Sequence, residues 1–305
     1  MKRTLLTLLL TVVASLAANA QIFYRITGKG LDKPSYIFGT YHFASEDFVR
    51  EVEGLAEAFE GVEIVCGEVE TSNFNSMTAA QQLLEQLKLP EGITYEDLLS
   101  AEDYAKLNAV LKKRIGADFT NPYVAQNIGC YVPQMLSLML QMLEPVEIEQ
   151  SGYINMNKPI DAYFQRVAQE RGQEVMWLED LQFQMDILFG SSLEEQASEL
   201  AWYLNNREAS TESAIQLVNA YLTQDIEAIN KVFGEEMGSG RYGDEWVKRL
   251  VDDRNKHWVK VMPEIMKKGS TLFVVGVGHL DYGKKSVIRL LRKKGYKVEA
   301  MGVGK

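Results

Sequence analysis

The sequence predicts an α/β (α+β) protein whose central mixed sheet is built from the N- and C-terminal segments around a large helical middle. Three observations predict this. Apolar, β-rich runs crowd into residues 22–69, and a strand–helix–strand pattern closes the chain over 270–301. Between them, apolar residues recur at helical spacing behind recognisable cap residues.

In chain order, residues 1–20 read as a signal peptide. Lys2 and Arg3 give a basic start, residues 4–16 are apolar and uncharged, and Ala18-Asn19-Ala20 supplies the small-x-small cleavage pattern. The apolar run is shorter than the ~20 residues a membrane span needs. Neither Cys66 nor Cys130 lies near the cut, so a lipid-modified start is excluded. The expected location is periplasmic or secreted, with no membrane span once the signal is removed.

Residues 22–27 and 35–38 read as strands joined by a turn containing Gly28, Asp32 and Pro34, which predicts a hairpin. Phe48, Val52, Leu55 and Phe59 at helical spacing predict a helix over 47–60. Residues 62–69 are almost continuously apolar in their first half, as a buried central strand is. Ser100 with Asp103 three residues on predicts a capped helix that Gly116 ends. Asn121-Pro122 opens another, the Met/Leu-rich residues 131–143 read as buried helix, and Pro159 opens a helix that runs to Arg171 and stops at Gly172. Residues 174–177 suit a short strand. Four or five helices follow over 180–268, broken near Gly190, Asn206, 234–243 and Pro263. The chain closes with a strand at 270–275, a basic amphipathic helix at 284–294 and a strand at 297–301. No fixed repeat or low-complexity linker divides it, so a single domain over 21–305 with a helical insert at about 76–268 is expected.

The formal charge is −10, and removing Lys2 and Arg3 with the signal leaves 30 basic against 42 acidic residues, or −12. This acidity disfavours nucleic acid, which needs a basic stripe. A peptide or small molecule is the expected substrate. Cys66 falls in a strand pattern and Cys130 in a helix pattern, and both read as small packing residues and not as a disulfide pair.

Two of the three histidines share one local frame. Residues 35–38 run into Gly39-Thr40-Tyr41-His42, and residues 272–275 run into Gly276-Val277-Gly278-His279. Each is an apolar strand followed by Gly-x-x-His, which places an imidazole just beyond a strand end, where crevices form in open α/β sheets. Glu68 and Glu70 close the early strand on one face by the two-residue period. Two histidines and a carboxylate form a familiar ligand set for a catalytic metal, so His42, Glu68 and His279 are the candidate ligands of a divalent ion such as manganese, cobalt, zinc or iron. Glu70 is the candidate to orient a histidine or move a proton. His257, in the charged stretch 252–260, reads as a surface residue.

At these residues the chain resembles the TraB/GumN family, which includes the PrgY pheromone-shutdown proteins and the animal Tiki proteases. Residues 35–42 resemble its apolar-G-T-x-H opening, Glu68-Val69-Glu70 its strand-end acidic pair, and Pro159-Ile160-Asp161 its helix start. Leu178-Glu179 followed by Gln184, then Arg254-Asn255, and finally residues 275–280 resemble its later motifs. Glu70 stands where aspartate is commoner, and Asp281-Tyr282 replaces small or proline residues. The resemblance implies a fold related to erythromycin esterases and ChaN-like haem-binding proteins, and metal-dependent peptide hydrolysis. It adds Asp161, Glu179 and Asn255 as residues supporting the metal ligands, and Arg254 as a clamp for a substrate carboxylate or a developing oxyanion.

The expected function is an exported metal-dependent hydrolase of peptide or amide bonds. The alternative is a protein that binds a peptide or haem in the same crevice without turnover, with Tyr41 and Phe43 packing beside His42. A third reading is an esterase-like hydrolase using histidine as a base without metal. No G-x-S-x-G, P-loop, H-E-x-x-H or dinucleotide fingerprint occurs.

Overall fold

The computed structural model describes residues 21–70, 77–142, 152–155 and 158–302. The expected signal peptide lies outside the described residues. Six strands form one sheet: β1 (Phe23–Thr27), β2 (Ser35–Thr40), β3 (Ile64–Gly67), β4 (Glu174–Trp177), β5 (Thr271–Gly276) and β6 (Lys297–Ala300), in the order β4-β3-β5-β2-β1-β6. β1 and β2 form the predicted antiparallel hairpin, with Phe23 opposite Phe38. β2, β5, β3 and β4 run parallel, and β6 pairs antiparallel with β1, so the sheet is mixed and the fold is α/β as predicted. β5 slots between β2 and β3, which brings the last part of the chain into the middle of the first. The sheet also takes β4 from the middle region, so the expected helical insert is interrupted there.

The helices used below are α1 (Leu55–Gly61), α2 (Ala101–Ile115), α3 (Pro133–Met142), α4 (Ile160–Arg171), α5 (Leu181–Phe189), α6 (Leu193–Asn205), α7 (Arg207–Leu222), α8 (Ile226–Met237), α9 (Arg254–Met266) and α10 (Val287–Lys293). Several begin where the sequence says. Ser100 caps α2 by accepting from the Asp103 N–H, and Gly116 ends it at φ 79°. Three expectations differ. The helix over 47–60 is split into a 3₁₀ stretch, Glu46–Glu51, and α1, because Gly54 at φ 78° turns the chain between them. Pro159 is the cap of α4 and not its first residue. Pro263 does not break α9, since buried Trp258, Val259, Met262, Ile265 and Met266 hold both sides of it in the core.

The main core lies on the sheet, where Phe38 and Phe59 close on Phe164 of α4 with ring centroids 5.6 and 5.0 Å away. Each such fully buried side chain contributes about 1.5–3 kcal/mol. A second cluster joins Leu107 and Leu111 of α2, Leu136 and Leu140 of α3, and Leu200 and Tyr203 of α6. Cys66 is buried and Cys130 half-buried, and both are free thiols.

Candidate functional site

The C-terminal ends of β2, β3 and β5 lie side by side and position the site. In the register of β2 and β5, Gly39 faces Val275 and Thr40 faces Gly276, so the two Gly-x-x-His turns leave the sheet together but one residue out of step. Glycine is required where they pack. A Cβ on Gly39 would fall 2.5 Å from Leu280 Cδ1 and 3.0 Å from Val277 Cα, and one on Gly278 would fall 2.9 Å from the Phe233 ring of α8. The turns also converge: a Cβ built on Gly276 would lie 3.4 Å from Glu68 Oε1, 3.6 Å from His279 Cδ2 and 4.0 Å from His42 Nε2.

The histidines occupy opposite environments. The His42 side chain is 69% exposed, and its Nδ1 lies 3.0 Å from Asp161 Oδ2 at the start of α4. Thr40 Oγ1 donates to the other oxygen, Asp161 Oδ1. The Asp161 charge raises the His42 pKa to about 9, against desolvation and Arg254. With the ring so open to solvent, the carboxylate pairing and not burial sets this shift.

His279 is buried. Its Nδ1 lies 2.7 Å from Asn255 Oδ1 and its Nε2 lies 3.1 Å from Arg254 Nη1. An arginine can only donate, so Nε2 accepts, Nδ1 carries the proton and the ring is neutral. Burial first, and Arg254 second, push its pKa down to about 3.

Between the two turns runs a buried ionic network. Arg254 Nη2 donates to Glu68 Oε2 at 2.6 Å and to Glu179 Oε1 at 2.6 Å, and Nε donates to Glu179 Oε1 at 3.0 Å. Trp258 Nε1 donates to Glu179 Oε2 at 2.8 Å, and the guanidinium lies 4.7 Å from the Trp258 ring centre. Glu68 also accepts from Gly276 N–H at 2.7 Å and Gln184 Nε2 at 3.0 Å. Burial pushes the Glu68 carboxyl up, but Arg254 first, with charged His42 and the Gly276 N–H, outweighs it and holds its pKa at about 2. The segment that delivers Arg254 is a π-helix, Lys248–Asp253, running into α9. Such wide turns are rare and concentrate at functional sites.

These groups floor a cavity of about 460 Å³. Thr40, His42, Glu68, Asp161, Gln165, Gln184, Arg254 and His279 supply its polar side. Leu188, Leu217, Ile229, Phe233, Leu250 and Val251, from helices of the middle region, supply an apolar wall. The cavity can hold a polar reacting group at the strand ends with apolar substituents against the helices.

The cavity thus brings together His42, Glu68, His279, Asp161 and Arg254, while Glu179 and Asn255 support them from behind. Glu70 stands outside the lining. β3 ends at Gly67, so the two-residue period that would put Glu70 beside Glu68 has lapsed, and Val69 lines the cavity in its place. His257 is exposed and faces Phe183, as its charged surroundings suggest. Sequence reasoning missed Thr40 and Trp258. Thr40 is the residue after the first motif's glycine, and Trp258 follows Arg254 by one helical turn, the spacing that puts two side chains on one face.

The three expected metal ligands do not fit an ion as they stand. Both oxygens of Glu68 and both ring nitrogens of His279 are engaged by protein donors or acceptors, and a guanidinium lies between them. Among the described residues no group of three His, Cys, Asp or Glu side chains is arranged to hold a metal.

A model described as the TraB/PrgY/gumN family matches residues 22–300. No curated protein and no solved structure matches the chain significantly. The match runs from β1 to the end of β6 and so covers every element that builds the cavity: the chain belongs to the TraB/PrgY/gumN family.

Proposed function

We propose that this chain is an exported hydrolase that cleaves a peptide or amide bond with water, using His42 and Asp161 to move the proton. The observation that carries this reading is the Asp161 carboxylate 3.0 Å from His42 Nδ1, with the outer ring nitrogen turned toward the cavity floor. A carboxylate on one imidazole nitrogen fixes the ring and stabilises its cationic form, which makes the other nitrogen a strong proton acceptor.

In the reaction, the neutral form of His42 takes a proton from water at Nε2 while the water oxygen bonds to the carbonyl carbon. Asp161 stabilises the imidazolium that forms. The carbon–nitrogen bond then breaks and the imidazolium returns its proton to the departing amine. Arg254 offsets the Glu68 and Glu179 carboxylates in the floor and so limits their repulsion of the negative charge that gathers on the carbonyl oxygen. The apolar wall holds a hydrophobic substituent beside the bond cleaved. The N-terminal sequence pattern supports export.

The test is a panel of fluorogenic peptides and amides with apolar residues beside the reporter, assayed with wild type, His42→Ala and Asp161→Asn. Turnover by wild type that falls in both variants supports the proposal. Saturable binding of panel members without turnover by any protein form would replace it with the binding reading.

A further inference from the structure

The network around Arg254 has the layout of a cation site. Three acceptors converge on one guanidinium: Glu68 Oε2 at 2.6 Å, Glu179 Oε1 at 2.6 Å and His279 Nε2 at 3.1 Å. Two carboxylates and one neutral imidazole are a ligand set that divalent metals accept. Each acceptor is pinned from behind. Trp258 holds Glu179, Gly276 N–H and Gln184 hold Glu68, and Asn255 holds the His279 ring.

We infer that Arg254 is this site's permanent cation, filling a preformed acidic cradle of Glu68, Glu179 and His279 that would otherwise hold a divalent metal. A guanidinium cannot be deprotonated in a protein, so its charge is constant at every working pH. A dication entering the cradle would have to displace a charge-assisted fork buried to 3% exposure and leave an unpaired cation behind. Wild type therefore holds no divalent ion here. Removing the guanidinium, with the acceptors left in place, creates a metal site.

This inference does not rest on the hydrolytic reading, because its test needs no turnover. Wild type, Arg254→Lys, Arg254→Ala and Arg254→Ala/Glu68→Gln are loaded with manganese, cobalt or zinc chloride, desalted, and measured for metal content and for the melting shift on loading. The expected result is less than a tenth of an equivalent in wild type and Arg254→Lys. Arg254→Ala should retain close to one equivalent and melt higher when loaded, and the double variant should lose both. Near-stoichiometric metal in wild type, lost in His279→Ala, would overturn the inference. A folded Arg254→Ala that retains none would overturn it equally. Should Arg254→Ala not fold even with metal, wild type and Arg254→Lys decide: retention by wild type overturns the inference, and retention by neither supports it.

Discussion

His42 Nδ1 meets Asp161 Oδ2 at 3.0 Å across 119 positions of sequence, joining the end of a hairpin strand to the start of a helix from the middle of the chain. Removing the carboxylate while keeping its shape separates proton transfer from folding. Asp161→Asn is expected to lower turnover by about 10²-fold or more. Because the neutral imidazole is the active form, the rate should rise with pH through about 9 in wild type and near the ordinary value of about 6.5 in the variant. A wild-type His42 that titrates near 6.5 by NMR would remove the basis of this expectation.

Breaking the buried ion network from one side leaves a charge without its partner. Arg254→Met strands both Glu68 and Glu179 and is expected to cost about 3–5 kcal/mol in urea unfolding, and Glu179→Met less, since Arg254 keeps Glu68. The double variant should cost less than the sum, because Glu179→Met removes one of the two charges that Arg254→Met strands. Strict additivity would mean that the two side chains do not act on one another.

Stability should also fall in acid through His279. Its folded pKa, about 3, lies below the unfolded value of about 6.5. The unfolded chain therefore binds the extra proton first, and this contribution is intact above 6.5 and lost as pH falls toward 3. His42 has the opposite sign: its raised pKa stabilises below about 6.5 and the effect is lost as pH rises through about 9. In His279→Gln, melting temperature measured from pH 7 to 4 should decline less steeply than in wild type. Parallel curves would show that the ring does not resist protonation.

The two motif glycines should fail differently. Gly39→Ala places a methyl 2.5 Å from Leu280 Cδ1 and is expected to destabilise by about 1–3 kcal/mol. Gly276→Ala meets nothing closer than 3.4 Å, so it should fold normally. Its methyl enters the space shared by His42, Glu68 and His279, however, and should lower turnover sharply. Comparing melting temperature with activity for both variants distinguishes the roles.

Much of the frame was legible because it is written locally. The Ser100 cap, the Gly116 and Gly172 stops, the hairpin and the closing strand–helix–strand all rest on residues a few positions apart. The placing of both histidine turns at strand ends was legible, but their meeting depended on which strands are neighbours. What His42 and His279 touch was not legible. Asp161, Arg254 and Asn255 arrive on helices far away in sequence, and spacing alone does not say that a guanidinium stands between Glu68 and His279. Glu70 was misplaced for a simple reason: the strand stops at Gly67, three residues before the alternation would have needed it.

The two Gly-x-x-His turns leave neighbouring strands one residue out of step and end as two chemical instruments. Past Thr40 the first turn leaves its imidazole in solvent, whereas past Gly276 the second closes into a 3₁₀ turn, Val277–His279, that folds its imidazole inward. The outward copy is held charged up to about 9, while the inward copy stays electrically silent down to about 3. The partners each ring meets, a carboxylate for His42 and an amide and a guanidinium for His279, thus divide labour between a mover and a fixture.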